Sequence, residues 1–160
     1  MDREVLKGIR VLEFAQFWVG PYNAEILSFL GAEVIKVESM RRMDPSRSLS
    51  ITTGQRFTGT DQSTVFNDLN LNKLDVTLDL TQPKAVELVK RMAKVSDVVT
   101  QNNRPGVMDR LGLGYEALKE VRPDIIYLSS SARGATGPER HYAGFAAGFC
   151  VLSGLGQITG

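Results

Sequence analysis

The stretch from Gly8 to Glu38 constrains the fold more than any other part of the sequence. Gly8-Ile-Arg-Val-Leu-Glu-Phe14 carries Ile9, Val11, Leu12 and Phe14, the content of a strand buried on both faces. Val19-Gly20-Pro21 breaks it, and Pro21 suits the first position of a helix, where its missing N–H has no partner to lose. Ala24, Leu27 and Phe29-Leu30 form an apolar stripe, and Gly31 stands where a helix-ending residue turns left-handed. Ala32 to Glu38 then alternates with period two around Val34, Ile35 and Val37, the mark of a second strand. Strand, short helix and strand in about thirty residues make a βαβ unit. Such a unit commits the chain to parallel strand pairing with helices packed on the sheet.

The rest of the chain continues that alternation. Residues 39–65 form a polar excursion without period, containing Arg41, Arg42, Asp44, Pro45 and Arg47. Val76 to Leu80 resumes strand character, Thr81 offers a helix N-cap, and Pro83 falls just inside the helix. Ala85, Leu88, Val89, Met92 and Ala93 give the clearest helical stripe in the chain. A short strand at Asp97 to Thr100 leads to a turn at Asn102 to Gly106. Two short helices follow, Val107 to Leu111 and Tyr115 to Val121, and Pro123 stops the second. Asp124 to Ser129 reads as a buried strand, Ala132 to Gly144 as a loop, and Ala146 to Leu155 as a helix. The expected fold class is α/β, a largely parallel sheet with flanking helices.

At 160 residues the chain has the length of one domain, and 42% hydrophobic with 23% charged residues is a globular balance. A formal net charge of +1 gives no electrostatic reason for a nucleic-acid partner, and no basic tail points to a membrane surface. Cys150 is the only cysteine, so an intramolecular disulfide is impossible and no metal site is expected; on the apolar segment it reads as a small buried hydrophobe. The N-terminus has no signal-like apolar region. The weakly polar run from Ala143 to Gly156 falls short of the roughly 20 residues a membrane span needs. The expectation is a cytoplasmic protein.

Parallel sheets bind ligands at the carboxyl ends of their strands, which selects three loops: Ala15 to Gly20, Gln101 to Gly106 and Ser129 to Gly137. None carries a G-x-G-x-x-G or Walker-type motif, and Gly112-Leu-Gly114 follows a helix rather than a strand. Arg104 and Arg110 flank the second loop and offer bidentate donors for phosphate; the alternative is that Arg110 pairs with Asp109 or Glu116. Trp18 at the first turn can stack on a nucleobase or serve a core or a subunit contact. His141, the only histidine, sits in a polar loop and reads as a surface residue. No carboxylate pair stands out as acid and base.

The sequence as a whole resembles the family III CoA-transferases. The resemblance runs through Leu6 to Phe14, Val19-Gly-Pro21, Phe29 to Glu38, Asp44-Pro45 with Arg47, Leu71-Asn-Lys73, Val76 to Leu80 and Asp97-Val-Val99. It is densest from Asn103 to Leu118 and continues through Pro123 to Ser129, Gly137-Pro138 and Leu152 to Gly160. It implies a Rossmann-like large domain in a protein more than twice this length, with residues 1–160 as the N-terminal part of the CoA-binding large domain. The small domain and a C-terminal return segment then lie outside the chain. It further implies an interlocked dimer with active sites between subunits, and therefore a homodimer or a hetero-oligomer with a homologous subunit.

By position, the resemblance places coenzyme A contacts at Phe17, Trp18 and Val19, at Leu78, Asp79 and Thr81, at Asn102, Asn103 and Arg104, and at Arg110. Ser39 stands where the family often has a basic residue or proline, and Thr81 where a lysine is common. The implied reaction moves coenzyme A between an acyl-CoA thioester and a small organic acid, with acyl-CoA as substrate and no metal. An aspartate attacks the thioester to give a mixed anhydride and free CoA thiolate. The thiolate returns to form an aspartyl thioester, and the acceptor acid takes the CoA. That aspartate is expected beyond Gly160, so no catalytic residue is assigned within the chain, and the chain alone is expected to be inactive. Phe145 and Ala146 stand where racemases of the superfamily have a His-Asp pair, which disfavours racemase chemistry. Many transferases have Tyr-Asp there, so Ala146 leaves an altered substrate pocket or a non-catalytic subunit of a heteromeric transferase; a stand-alone CoA- or nucleotide-binding module is a separate alternative.

Overall fold

A computed structural model describes residues 4–48 and 59–159, with the side chains of residues 146 and 147 outside that description. The sequence readings at residues 49–58, at the side chain of Ala146 and at Gly160 lie outside the described residues. Five strands, β1 (Arg10–Glu13), β2 (Glu33–Glu38), β3 (Leu74–Thr77), β4 (Val98–Gln101) and β5 (Ile126–Ser129), form one sheet in the order β3-β2-β1-β4-β5. Every pairing is parallel, with Leu12 opposite Ile35 on one side and Val99 on the other. All five carboxyl ends therefore share one edge. The crossovers leave β1 outward through β2 and β3, then return to β4 and β5. The topological switch thus falls between β1 and β4, where open parallel sheets form their ligand crevice.

The helices cover the sheet as the periodicity requires. In α3 (Pro83–Lys94), Ala85, Val89 and Ala93 are buried, while Leu88 at the margin of the stripe is 43% exposed. Val89 and Ala93 join Leu12, Val37, Val99, Met108, Leu113, Leu118 and Ile125 in the main core. Each fully buried aliphatic side chain there contributes about 1.5–3 kcal/mol. The N-cap of α3 is Gln82 rather than Thr81; Pro83 opens the helix, and the Thr81 hydroxyl donates instead to Asp79 Oδ1 at 2.7 Å.

In α1 (Val19–Phe29) the buried face is Gly20, Pro21, Ala24, Glu25 and Ser28, whereas Phe29 is 57% exposed. Small residues win this face at its start because the helix folds back on the turn that leads into it: a Cβ on Gly20 would stand 2.2 Å from that of Ala15. Glu25 and Ser28 are buried for their hydrogen bonds. The Leu71 N–H donates to Glu25 Oε1, and the Ser28 hydroxyl donates to the Glu25 carbonyl. Pro21 occupies the third helical position, still inside the first turn where no N–H partner is needed. Gly31 ends the helix with φ +101°, and a Cβ there would meet the Glu4 backbone at 2.8 Å.

Two strand readings shift. β3 begins two residues earlier than Val76, at Leu74. β5 is one of the sheet's two edge strands among the described residues, and Ile126 and Leu128 are exposed rather than buried; Ile125, just before the strand, enters the core and Tyr127 packs against it. The polar excursion contains a 3-10 turn at Pro45–Ser48 and a short helix α2 (Thr64–Asp68) capped by Ser63. Helices α4 (Val107–Arg110) and α5 (Tyr115–Lys119) follow β4. The segment read as one helix from Ala146 to Leu155 divides into α6 (Ala146–Leu152) and α7 (Leu155–Thr159). No helix of the described residues is long and apolar enough to cross a membrane.

Candidate ligand crevice

Two loops face each other across the β1/β4 switch. On one bank, Phe14 to Trp18 lead from β1 into α1; on the other, Asn102 to Gly106 lead from β4 into α4. Asn102 ties the banks together. Its Oδ1 accepts from the Gln16 N–H at 2.9 Å and its Nδ2 donates to the Gln16 carbonyl at 2.7 Å, so one side chain extends the sheet's pairing beyond its last residue. The Asn103 N–H donates to Gln101 Oε1 at 2.7 Å, which fixes the second bank from below.

The turn after β1 has an unusual backbone. Phe17 has φ +74°, a left-handed conformation that costs a bulky residue of order 1–3 kcal/mol. Its ring meets Trp18 edge-to-face at 5.9 Å, and Trp18 and Val19 are exposed. α1 starts here without a side-chain cap.

The loop of Phe17, Trp18 and Val19 is therefore tied to Asn102 through Gln16, and a Cβ on Gly20 would stand 3.2 Å from the Asn102 side chain. Arg110 is brought to the loop from Asn102 to Gly106, because its Nη1 would lie 3.3 Å from a Cβ on Gly106. Among the described residues, neither Arg104 nor Arg110 enters an ion pair, and Arg110 pairs with neither Asp109 nor Glu116. Both guanidinium groups are exposed and available to an anion. Leu78, Asp79 and Thr81 stand on the same sheet edge but after β3, two strands from β1 and so roughly 10 Å away. Leu78 packs against the main core. Asp79 accepts from the Thr81 backbone and hydroxyl, which holds its carboxyl below the usual aspartate range, and it meets Arg41 at 3.3 Å.

Beneath the crevice lies a set of buried charges that the sequence reading passed over. Lys36 of β2 and Glu13 of β1 are essentially inaccessible, as are Asp44 and the Lys73 side chain. Lys73 Nζ donates to Glu13 Oε2 at 3.0 Å and to the carbonyls of Pro21 and Leu69 and Oδ1 of Asn70 at 2.8–3.1 Å. Lys36 Nζ donates to the Ala15 carbonyl at 2.8 Å and pairs with Asp44 at 3.2 Å. Glu13 Oε1 has no hydrogen-bond partner, with Lys36 Nζ 4.0 Å away. Burial pushes the Glu13 carboxyl up, against the pull of both lysines, and burial pushes the Lys73 ammonium down. Two anions and two cations balance, so the set carries no net charge into the core.

A second cluster closes the β2–β3 end beside a cleft of about 180 Å³. Arg47 stacks on the Phe66 ring at 3.5 Å and reaches three carboxylates: Glu38 at 2.7 Å, Asp61 at 2.9 Å and Asp75 at 3.2 Å. Burial raises Glu38, but the hydrogen bonds from Arg47 and Asp75 outweigh it and hold the carboxyl low. Burial, followed by the hydrogen bond shared with Glu38, pushes Asp75 up to about 7. The pair thus holds one proton near neutrality. Among the described residues no group of His, Cys, Asp and Glu is arranged to hold a metal ion.

The sequence carried one signal for these charges. Glu13 and Lys36 stand inside strands whose flanking residues mark both faces as buried, and a charge in such a strand has to find an internal partner.

Comparison with known proteins gives a consistent result. Residues 6–160 match CoA-transferase family III. Human succinyl-CoA:glutarate CoA-transferase is 40% identical over 97% of this chain and 34% of its own length. The succinyl-CoA–L-malate CoA-transferase alpha subunit of Chloroflexus aurantiacus is 37% identical over 97% of this chain and 35% of its own. Among solved structures, a CaiB/BaiF family protein from Brucella suis superposes with a TM-score of 0.83 at 35% identity, covering 93% of this chain and 39% of that one. The chain thus spans about a third of the length of the curated relatives it matches.

Proposed function

The chain belongs to CoA-transferase family III, and on that premise we propose that it supplies the coenzyme A-binding part of an enzyme that moves CoA between an acyl-CoA thioester and a carboxylic acid. In this reading residues 1–160 are the N-terminal part of the large domain. The aspartate that carries the acyl and CoA groups in turn lies beyond them, as do the small domain and the return segment. The observation that carries the proposal is the pair of strand-end loops tied by Asn102 at the β1/β4 switch, with Trp18 exposed on one loop and Arg104 and Arg110, by the other, free of ion pairs among the described residues. The residues fit the ligand: guanidinium groups suit phosphates, and an exposed indole suits a planar base.

The residues here bind and orient rather than react. Arg104 and Arg110 neutralise phosphate charge, Phe17, Trp18 and Val19 line the opposite bank, and Asn102 holds the two banks at a fixed separation. Asp79 and Thr81 extend the surface along the sheet edge. The acceptor acid is met by residues outside this chain, and the working unit is a homodimer or a hetero-oligomer in the same compartment as its acyl-CoA, the cytoplasm.

Calorimetric titration of the chain with CoA tests this. Binding is expected, with affinity falling roughly 10- to 100-fold for each of Arg104→Ala and Arg110→Ala, the range for a charge-assisted hydrogen bond. Absence of binding, or affinity indifferent to both changes, refutes it. A second reading is a non-catalytic subunit of a heteromeric transferase. It is favoured by Ala146 and by the relative named as an alpha subunit. Co-purification with a homologous, catalytically complete subunit supports that reading, and full activity of a homodimer removes it.

A further inference from the structure

Three consecutive residues of the β1–α1 turn are each gripped by a side chain from elsewhere in the fold. The Ala15 carbonyl accepts from Lys36 Nζ at 2.8 Å, both backbone groups of Gln16 bond Asn102, and the Phe17 N–H donates to Asp44 Oδ1 and Oδ2 at 3.0 and 3.1 Å. Asp44 is itself fixed. Its Oδ1 accepts from the Ser46 N–H and hydroxyl at 2.9 and 2.7 Å, its Oδ2 pairs with Lys36 at 3.2 Å, and it is 1% exposed. One buried ion pair thus holds the turn on both sides of Gln16, and the residue it grips by the N–H is the one in the left-handed conformation.

We propose that Asp44, set by the buried ammonium of Lys36, is a positioning residue that holds Phe17 left-handed and thereby fixes how Phe17 and Trp18 face the crevice. A carboxylate with four donors at hydrogen-bond or ion-pair distance has no orientational freedom left, so it can oppose the steric preference of a phenylalanine for negative φ. The consequence for CoA affinity rests on the reading of the crevice given above; the conformational consequence does not.

The test is therefore made first without CoA. Trp18 is the only tryptophan, so its fluorescence reports this turn alone. In Asp44→Asn the Phe17 amide is expected to exchange roughly 10- to 100-fold faster, the fold-change for a lost charge-assisted hydrogen bond, and Trp18 emission and acrylamide quenching are expected to change. Adding Phe17→Gly, which adopts the left-handed conformation without steric cost, is expected to suppress most of the drop in urea midpoint caused by Asp44→Asn. Phe17→Gly is also expected to be more stable than Phe17→Ala, the reverse of the usual order. The proposal is overturned if Asp44→Asn leaves Phe17 exchange and Trp18 quenching unchanged, or if its effect is as large in the Phe17→Gly background. It is likewise overturned if Asp44→Asn fails to fold in both backgrounds, because the carboxylate is then needed for general stability. CoA titration follows: weaker binding by Asp44→Asn is expected. Altered exchange with unaltered affinity would remove Phe17 and Trp18 from the CoA site while leaving the positioning role intact.

Discussion

Replacing Lys73 with methionine removes one ammonium from beneath the crevice while keeping most of its volume. Four acceptors then lose their donor: Glu13 Oε2, the Pro21 and Leu69 carbonyls, and Asn70 Oδ1. Glu13 is left as a buried carboxylate whose nearest cation, Lys36, stands at 4.0 Å and is shared with Asp44. Removing one partner of a buried pair costs about 3–5 kcal/mol. At about 2–4 °C per kcal/mol, this lowers the melting temperature by roughly 6–20 °C. The deficit also depends on pH. The Glu13 carboxyl is already raised by burial, and without Lys73 it rises further. A group whose folded pKa lies above its unfolded value binds more protons in the native state, so it loses stability as pH rises through the folded pKa. The variant is therefore expected to recover toward wild type as pH is lowered from alkaline to mildly acidic, because a proton replaces the lost cation. Adding Glu13→Gln is expected to recover part of the loss at neutral pH. Urea denaturation of the three proteins across that pH range decides the matter. A loss below ~1 kcal/mol, or a deficit flat with pH, would refute the argument that Lys73 compensates a buried charge.

Asp75, pushed up to about 7 from 3.8, contributes stability that is complete below 3.8 and lost as pH rises through about 7; Asp75→Asn should remove this negative slope from a plot of unfolding free energy against pH. Gly20→Ala places a Cβ 2.2 Å from that of Ala15, and the forced rearrangement of the β1–α1 turn is expected to cost about 1–3 kcal/mol or more in chemical denaturation. Asn102→Ala leaves the Gln16 N–H and carbonyl unmet, and a loss of about 1–3 kcal/mol with faster exchange of the Gln16 amide is the expected result.

Periodicity exposed the βαβ unit, the α3 stripe and the sequence of elements, because burial imposes a repeat on each. In α1 it held for Ala24 and Leu27, which pack into the core, and failed at the end of the stripe. Phe29 and Leu30 are apolar but exposed, while Glu25 and Ser28 are buried because they hold the turn at Leu71 and Asn72. An apolar stripe records what avoids water, not what a helix must approach closely. The candidate crevice was legible as a place, since the ends of parallel strands are set by topology. Its geometry was not: nothing local marks Asn102 as the tie between two loops or Phe17 as left-handed. The four buried charges come from β1, β2 and two loops as far apart in sequence as Glu13 and Lys73, and only the strand order brings them together.

The most direct test of the central claim is a backbone amide chemical-shift map of the chain titrated with CoA. The account predicts saturable changes on both banks at once, at Phe17, Trp18 and Val19 and at Asn102, Asn103 and Arg104, with Asp79 and Thr81 following along the sheet edge. Changes confined to one bank, changes centred on the exposed β5 edge at Ile126 and Leu128, or none at all would contradict it.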